Sequence, residues 1–232
     1  MRFIERITDF FDDVVEQIDE WVMQMTEKFY KWSERFARNV YTFSIETLSF
    51  SYESNSVDEE LAHKCQEYID ENFPYGLEWV IRDKTFEERI SFIQTTFQEI
   101  ASIMEVDVEQ FEIRPFNQEW RSVFGFYNRE KNCIWLNDTF LRDLSVPEYT
   151  EHLLLTIFHE LKHARQYAAV LDQVDYGYSE ELLSEWALNM KYYISFQESD
   201  EAYRKQPLEL DAFGWVDTLK VHAETIKING TW

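Results

Sequence analysis

Apolar residues recur every three or four positions through the first part of the chain, from Ile4 to Phe43. This spacing matches the roughly 3.6-residue period of an α-helix and lasts for about eleven turns. No strong helix breaker interrupts it, because the first proline of the chain is Pro74 and the first glycine is Gly76. The pattern predicts one long amphipathic helix, or two with a tight break, in a helical N-terminal region at residues 1–50.

The apolar face of this predicted helix is broad and aromatic, and it includes Trp21, Phe29, Trp32 and Phe36. A dimeric coiled coil instead favours Leu, Ile and Val on a narrow seam. We therefore expect the face to pack on the chain's own domain, with self-association or docking of a partner as the alternative. Adsorption to a membrane surface is less favoured, since the polar face is more acidic than basic.

Further helices are predicted beyond a linker at residues 45–56, where serine and asparagine interrupt the apolar period. They are a helix at residues 57–73, one opened by a capping box of Thr85 and Glu88, one opened by a capping box at Ser145 with Pro147 in its first turn, one from Ser179 to about Phe196, and a last long helix from Pro207. Residues 197–206 are predicted to be a polar connector.

Extended patterns occupy the middle of the chain. Residues 108–116 are one strand candidate, and residues 121–137 contain two apolar runs around the polar residues 128–132. Two such runs with a short polar loop between them predict a β-hairpin. The expected fold class is α+β and mostly helical, with a small antiparallel sheet or hairpin beside the helix that begins near Pro147.

The composition indicates a packed protein with a strongly acidic surface. Of its 232 residues, 45% are hydrophobic and 17% are aromatic, which argues against disorder. The 45 acidic residues outnumber the 22 basic ones and give a net charge of −23. Such a surface repels phosphate backbones, so nucleic acid is not expected as a partner.

The cysteines and the N-terminal residues indicate a location for the protein. Cys65 and Cys133 lie far apart and form neither a disulfide framework nor a thiolate metal motif. The first residues lack the apolar run and cleavage site of a signal peptide. No stretch approaches ~18 consecutive apolar residues, so no membrane span is expected. The prediction is a soluble cytoplasmic protein.

Candidate chemistry lies in the segment LLLTIFHELKHARQ, residues 153–166. On a helix, His159 and His163 stand one turn apart on the same face, where two imidazoles can hold one tetrahedral Zn²⁺. Glu160 is rotated by about 100° from His159, so it flanks the metal position and can serve as general base for a water. This is the HExxH pattern of zinc metalloproteases.

A catalytic zinc site needs a third protein ligand and an open fourth position. His152 lies two helical turns from His159, about 10.5 Å along the axis, so we expect it to be a first-turn surface histidine. His63 and His222 are expected to face solvent, with His222 kept as an alternative ligand. The third ligand is therefore expected to be a carboxylate.

The last predicted helix supplies the carboxylate candidates. Glu209 shares a face with the apolar residues Ala212 and Phe213, where a buried carboxylate needs a partner such as zinc. The alternative role for Glu209 is that of a first-turn acid favoured by the helix dipole. Asp211 lies on a more mixed face and is the second candidate ligand.

The segments HELKHARQ and ELDAF together resemble the zincin peptidases of the gluzincin group. In that family, HExxH on one helix is completed by a glutamate on a later helix. The resemblance covers roughly residues 120–225 and implies a zincin-like metallopeptidase domain at residues 57–232. It implies Zn²⁺ as cofactor, His159, His163 and Glu209 as its ligands, and Glu160 as general base.

The chain departs from the family at Phe213, where many relatives have Asp or Asn after the motif ExxA. A carboxylate that orients a ligating histidine would then come from elsewhere, such as Asp211 or Glu185. The family also implies an edge strand that pairs with an extended substrate, either residues 133–137 or residues 122–127. Candidates for the side chain that stabilises an oxyanion are Tyr203, Tyr178 and Arg165.

The expected function is that of a zinc-dependent metallopeptidase acting on a peptide or protein substrate. One alternative is a zincin-like metal-binding or assembly module without peptidase activity, in which the N-terminal helix self-associates or docks a partner. A second alternative is a zinc hydrolase that cleaves a bond other than a peptide bond.

Overall fold

The computed structural model describes residues 2–47, 51–144 and 146–220, in which helices predominate around one small sheet. In chain order the elements are α1 (Arg2–Thr47), α2 (Ser56–Asn72), α3 (Leu77–Ile81), α4 (Phe86–Ile103), β1 (Gln110–Arg114), β2 (Gly125–Asn128), β3 (Cys133–Asn137), α5 (Thr139–Arg142), α6 (Pro147–Leu171), α7 (Glu180–Lys191), α8 (Asp200–Lys205) and α9 (Pro207–Val216). The α+β, mostly helical fold class is confirmed.

Helix α1 is continuous over 46 residues, which decides between one long helix and two. Its C-terminal part packs on the rest of the protein, where Ile45 is 2% exposed and joins a small apolar cluster with Ile194 and Ala202. Every residue from Val22 to Trp32 is exposed, so the expected packing of the aromatic face on the chain's own domain is wrong for this stretch. The division into residues 1–50 and 57–232 stays a prediction.

The sheet has three strands in the order β1–β3–β2. Strands β2 and β3 form the expected antiparallel hairpin, with Phe126 opposite Trp135 and a helical turn at Arg129–Lys131 between them. Strand β1 pairs in parallel with the other side of β3, with Phe111 opposite Ile134. The sheet is therefore mixed and not purely antiparallel as expected. The chain reverses between β1 and β2 and again in the hairpin, so β3 runs parallel to β1.

Helix α6 packs against β2, β3 and the helices α3, α4, α5, α7 and α9. Pro147 occupies its first turn and fixes the helix start. The apolar residues that precede HELKH are buried in the main core, as their sequence predicts. Strand β2 approaches α6 closely at Gly125, where a Cβ atom would lie 2.6 Å from Leu136 and 3.0 Å from Thr156. Glycine at this position therefore allows the edge of the sheet to lie against the helix.

Helix α7 ends at Lys191 and not near Phe196 as expected. The cause is Gln206, whose side-chain amide accepts a hydrogen bond from the Ile194 N–H at 3.0 Å and donates to the Ile194 carbonyl at 2.8 Å. These two bonds replace the helical ones and turn the chain toward α8. Because Gln206 is far from Ile194 in sequence, no local pattern indicates this end.

Other helix boundaries agree only in part with the expectations. The capping box of Thr85 and Glu88 is present. The predicted connector at residues 197–206 contains the short helix α8, and α9 ends at Val216, so it is shorter than the long helix expected. Ser145 and His222 lie outside the described residues. Within the described ranges, no helix combines the length and the apolar character needed to cross a membrane.

Candidate metal centre

Helix α6 presents the two histidines of the HELKH segment on one side. The ring centroids of His159 and His163 are 4.6 Å apart, and their Nε2 atoms are 3.1 Å apart. Both residues are 8% exposed, because the surrounding helices and strand β2 cover this part of α6. Two imidazole nitrogens that face each other in this way can bind one cation.

The carboxylate of Glu209 meets these histidines from α9. Pro207 begins this helix, so Glu209 falls in its first turn. Its Oε1 lies 3.3 Å from Nε2 of His163, and its Oε2 lies 3.4 Å from Nε2 of His159. One donor atom from each of the three residues lies within 4.8 Å of the others. The structure thus brings together the three residues that the sequence suggests as metal ligands.

The donor atoms of this cluster fit a divalent cation. Glu209 is 1% exposed, and its Oε2 has no hydrogen-bond partner among the described residues. A buried polar group without a partner costs about 1–3 kcal/mol, and more when it is charged. A cation held by two imidazole nitrogens and this carboxylate would remove that cost. Two histidines and one glutamate are a donor set typical of catalytic zinc sites.

The side chain of Gln166 sets the tautomer of His163. The Gln166 amide nitrogen donates to the Leu208 carbonyl at 3.0 Å and to Oδ2 of Asp211 at 2.7 Å. The amide oxygen therefore faces Nδ1 of His163 at 2.8 Å, and this nitrogen carries the proton. The neutral imidazole then has its lone pair on Nε2, the atom inside the cluster, where it can bind a metal.

The charges of the cluster act on one another. Burial raises the pKa of Glu209, but His163 and His159 outweigh this effect and hold that pKa below its usual range. Burial lowers the pKa of His163, and the Glu209 carboxylate more than offsets this and raises it to about 9. The Glu209 carboxylate is thus ionised throughout the neutral range, as a metal ligand must be, and His163 gives up the proton on Nε2 when that nitrogen binds a metal.

We expect Gln166→Leu to weaken Zn²⁺ binding about 10–100-fold, because the tautomer and orientation of His163 are no longer fixed. Competition against a chromogenic chelator measures this change. The matched control is Gln94→Leu, an exposed glutamine of α4, which should leave zinc affinity unchanged. Equal zinc affinity in Gln166→Leu and wild type would show that the amide does not support the site.

Glu160 lies beside the cluster and contacts strand β2. Its Oε2 accepts a hydrogen bond from the backbone N–H of Tyr127 at 2.7 Å. Burial raises the pKa of Glu160, while His159 and His163 act in the opposite direction. A carboxyl group with a raised pKa can take up and release a proton nearer neutral pH, which suits a general base.

Strand β2 is at one edge of the sheet and lines the site. The Phe124 carbonyl accepts a hydrogen bond from the Asn137 N–H at 2.8 Å. Because hydrogen-bonded positions alternate along antiparallel strands, Gly125 and Tyr127 direct their peptide groups away from β3. Of the two candidate edge strands, residues 122–127 include the edge beside the site, whereas residues 133–137 form the central strand.

A cavity of about 580 Å³ opens over the cluster. His159, Glu160, His163 and Glu209 all contribute to its wall. Much of the remaining wall is aromatic, from Trp120, Phe124, Phe126, Phe196, Tyr203 and Phe213. The cavity is large enough for several side chains of a substrate, and its walls favour apolar ones.

Two tyrosines bring phenolic hydroxyls to the cluster. Tyr193 donates to Oε1 of Glu209 at 2.5 Å, and the rings of Tyr193 and Tyr203 are 6.3 Å apart. Burial, and then the Glu209 carboxylate, raise the pKa of both phenols well above the usual value. Both therefore stay protonated at neutral pH and can donate hydrogen bonds.

The structure distinguishes among the three oxyanion candidates. Tyr203 lines the cavity. Arg165 instead donates a hydrogen bond to the Tyr178 hydroxyl at 3.2 Å and another to the Met104 carbonyl, so Tyr178 and Arg165 belong to a structural network.

Two residues of the site were not predicted from the sequence. Tyr193 was missed because it follows the end of α7 and carries no local signal. Gln166 was also missed, although it follows His163 by three residues and therefore lies one helical turn away from it.

The other candidate residues lie away from the cluster or support it indirectly. Asp211 accepts a hydrogen bond from Gln166 and lies 3.2 Å from the Lys162 ammonium, so it reaches His163 through Gln166 and is not part of the three-residue cluster. Glu185 is exposed and does not supply an orienting carboxylate. The side chain of His63 is 74% exposed, as expected.

The expectation for His152 is wrong, because this residue is half-buried and lies in the second turn of α6. Its ring lies 5.4 Å from that of Phe124, which covers it. Burial also lowers the pKa of its imidazole. His152 is therefore part of the packing between α6 and the chain that leads into β2.

Comparison of the chain with protein-family models, with curated proteins and with solved structures finds no match in any of the three.

Proposed function

We propose that this protein is a zinc-dependent peptidase whose metal ligands are His159, His163 and Glu209. The observation that carries the proposal is the cluster itself, in which two Nε2 atoms and a buried carboxylate meet within 4.8 Å. Three protein ligands leave a fourth position for water or substrate, as in catalytic zinc sites and unlike closed structural ones. A zincin-like fold for residues 57–232 is part of the same proposal, supported by the small sheet packed beside α6.

When bound, Zn²⁺ would supply Lewis acidity, polarising a peptide carbonyl and lowering the pKa of a water to about 7. Glu160 takes a proton from the attacking water and passes it to the leaving amine. Two observations support this role: Glu160 lines the cavity beside both histidines, and its pKa is raised by burial. The Tyr127 N–H holds the carboxylate in place.

Tyr203 is the residue that we assign to stabilising the oxyanion. It lines the cavity, it is close to Tyr193, and its raised pKa keeps the phenol protonated. A protonated phenol can donate a hydrogen bond to a carbonyl oxygen on which negative charge develops. Tyr193 has a different role, because its hydroxyl donates to Oε1 of Glu209 at 2.5 Å and orients this carboxylate.

The substrate class that fits the site is a peptide or unfolded protein segment in extended conformation. Strand β2 offers outward peptide groups at Gly125 beside Glu160, and an extended backbone can pair with such an edge. The aromatic wall of the cavity favours apolar or aromatic side chains next to the cleaved bond. A cytoplasmic location and the absence of a nucleic-acid partner stay predictions from the sequence.

The test is incubation of the zinc-loaded full chain with a library of unstructured peptides, followed by mass spectrometry of the products. We expect new peptide termini that vanish with a zinc chelator and return when zinc is restored. Turnover of small esters or amides with no peptide cleavage would indicate a hydrolase of another bond. No turnover of either substrate would favour the alternative of a metal-binding or assembly module, which the exposed face of α1 also supports.

A further inference from the structure

Helix α1 contacts the rest of the protein chiefly with one row of side chains, spaced by four and three residues: Glu34, Arg38, Tyr41 and Ile45. Glu46, beside this row, accepts a hydrogen bond from Ser199 at 3.4 Å. Arg38 donates to Oε1 of Glu198 at 2.7 Å, and Glu34 accepts from the Lys191 ammonium at 3.1 Å. Ile45 is 2% exposed. This row attaches α1 to the chain segment that runs from the end of α7 through α8.

A second row, called here the apolar row, consists of Val22, Met25, Phe29, Trp32, Phe36, Val40 and Phe43. Its members are between 47% and 67% exposed. Phe36 is two residues from both Glu34 and Arg38, which corresponds to about 200° around the helix. The apolar row and the attached row therefore lie on nearly opposite sides of α1. Attachment of α1 through Glu34, Arg38, Tyr41 and Ile45 therefore leaves the apolar row exposed to solvent.

The apolar row is continuous and partly ordered by ring contacts. Trp32 stacks with Phe36 at a centroid distance of 5.6 Å and lies 5.9 Å from Phe29. Large contiguous apolar surfaces on a helix mark interaction sites, because leaving them in water is unfavourable. A long helix with such a row gains most of its stability from packing on another element. The row therefore requires an occupant.

The charges of α1 identify the occupant. Residues 2–20 contain seven acidic and two basic residues, whereas residues 21–38 contain four basic and two acidic residues. The helix thus has an acidic N-terminal half and a basic following segment. A parallel partner with the same sequence would place like charges side by side along its length. An antiparallel copy would place each segment beside the opposite charge, and it would also oppose the two helix dipoles.

We propose that α1 pairs in antiparallel orientation with α1 of a second copy of this chain, so that the apolar row of one copy packs on the apolar positions that recur from Ile4 to Ile18 in the other. A twofold axis between Met23 and Gln24, close to the middle of the helix, sets residues 28–38 of one copy opposite residues 9–19 of the other. Residues 9–19 contain five acidic residues and no basic residue. The same register overlaps the two helices over almost their whole length. The pairing is independent of the metal cluster and does not rest on the proposed peptidase activity.

The first test is the mass of the full chain in solution by light scattering and sedimentation. We expect a particle of about twice 28.2 kDa. Trp32→Glu in the apolar row should give monomers, with at least a 100-fold weaker association. The matched control is Tyr30→Glu, which changes an aromatic residue that is 63% exposed but off the row, and it should remain dimeric. A monomeric wild type, or equal dissociation by both variants, would overturn the proposal.

Cysteine cross-linking tests the orientation, since the native Cys65 and Cys133 are fully buried. Met25→Cys lies next to the proposed twofold axis and should form an intermolecular disulfide under mild oxidation. Val40→Cys should not, because its copies are about 50 Å apart in the antiparallel pair. A Val40→Cys disulfide dimer, or failure of Met25→Cys to cross-link, would contradict antiparallel pairing about this axis.

Discussion

Replacement of Glu160 by glutamine is expected to lower peptide hydrolysis about 100–10,000-fold while leaving zinc bound. Glutamine has the same size and still offers an oxygen to the Tyr127 N–H, so strand β2 keeps its contact with α6. It cannot take a proton from water. Zinc should stay, because the three donor atoms of the cluster come from other residues. Initial rates on a cleaved peptide, together with zinc content, measure both effects.

A matched control for Glu160→Gln is Glu148→Gln, an exposed glutamate in the first turn of the same helix. This control should retain full activity. Undiminished hydrolysis by Glu160→Gln would rule out Glu160 as general base. Loss of zinc together with activity would show instead that Glu160 takes part in metal binding, and the assigned mechanism would be wrong.

The second large effect is a loss of stability, which we expect when Lys162 is replaced. Its ammonium is fully buried and lies against Oδ1 of Asp58 at 2.5 Å and Oδ2 of Asp211 at 3.2 Å. Burial lowers the pKa of Lys162, but the carboxylates, Asp211 foremost, outweigh it and raise the pKa. Lys162→Met would leave two buried carboxylates without their cation. The expected loss is about 3–5 kcal/mol in the free energy of unfolding, measured by chemical denaturation.

Two further variants test whether the loss of stability in Lys162→Met comes from its buried ion pairs. Lys64→Met removes an exposed lysine that pairs with Glu60, and it should change stability by less than about 0.5 kcal/mol. In Lys162→Met/Asp58→Asn, the buried charge is removed with its partner, so the double variant should lose less than the sum of the single changes. Additive losses, or a loss below about 1 kcal/mol in Lys162→Met, would mean that the buried ion pairs do not hold α2 and α9 to α6.

The parts of the fold that sequence predicts are those set by local chemistry. Thr85 with Glu88 marks the start of α4, and Pro147 the start of α6, because caps and proline act within one turn. The parallel pairing of β1 with β3 and the early end of α7 depend on contacts between distant segments. Gln206 ends α7 through hydrogen bonds to Ile194, and no pattern near either residue reports them.

The candidate site likewise combines features set by local sequence with features set by contacts between distant segments. The spacing of His159 and His163 and the helical phase of Glu209 are local properties, and they place all three residues of the cluster among the candidates. The choice between Glu209 and Asp211 needed the tertiary structure, because both lie in the first turns of α9. Only the packed protein shows that Asp211 faces Lys162 and Gln166.

Zinc content per chain, measured by elemental mass spectrometry on untagged protein, tests the central claim most directly. Wild type should contain one zinc ion per chain, and His163→Ala and Glu209→Ala should contain almost none. His63→Ala, which removes an exposed histidine, should keep the metal. Wild-type protein that stays free of zinc after zinc is supplied, or Glu209→Ala that retains it fully, would contradict the proposed metal centre.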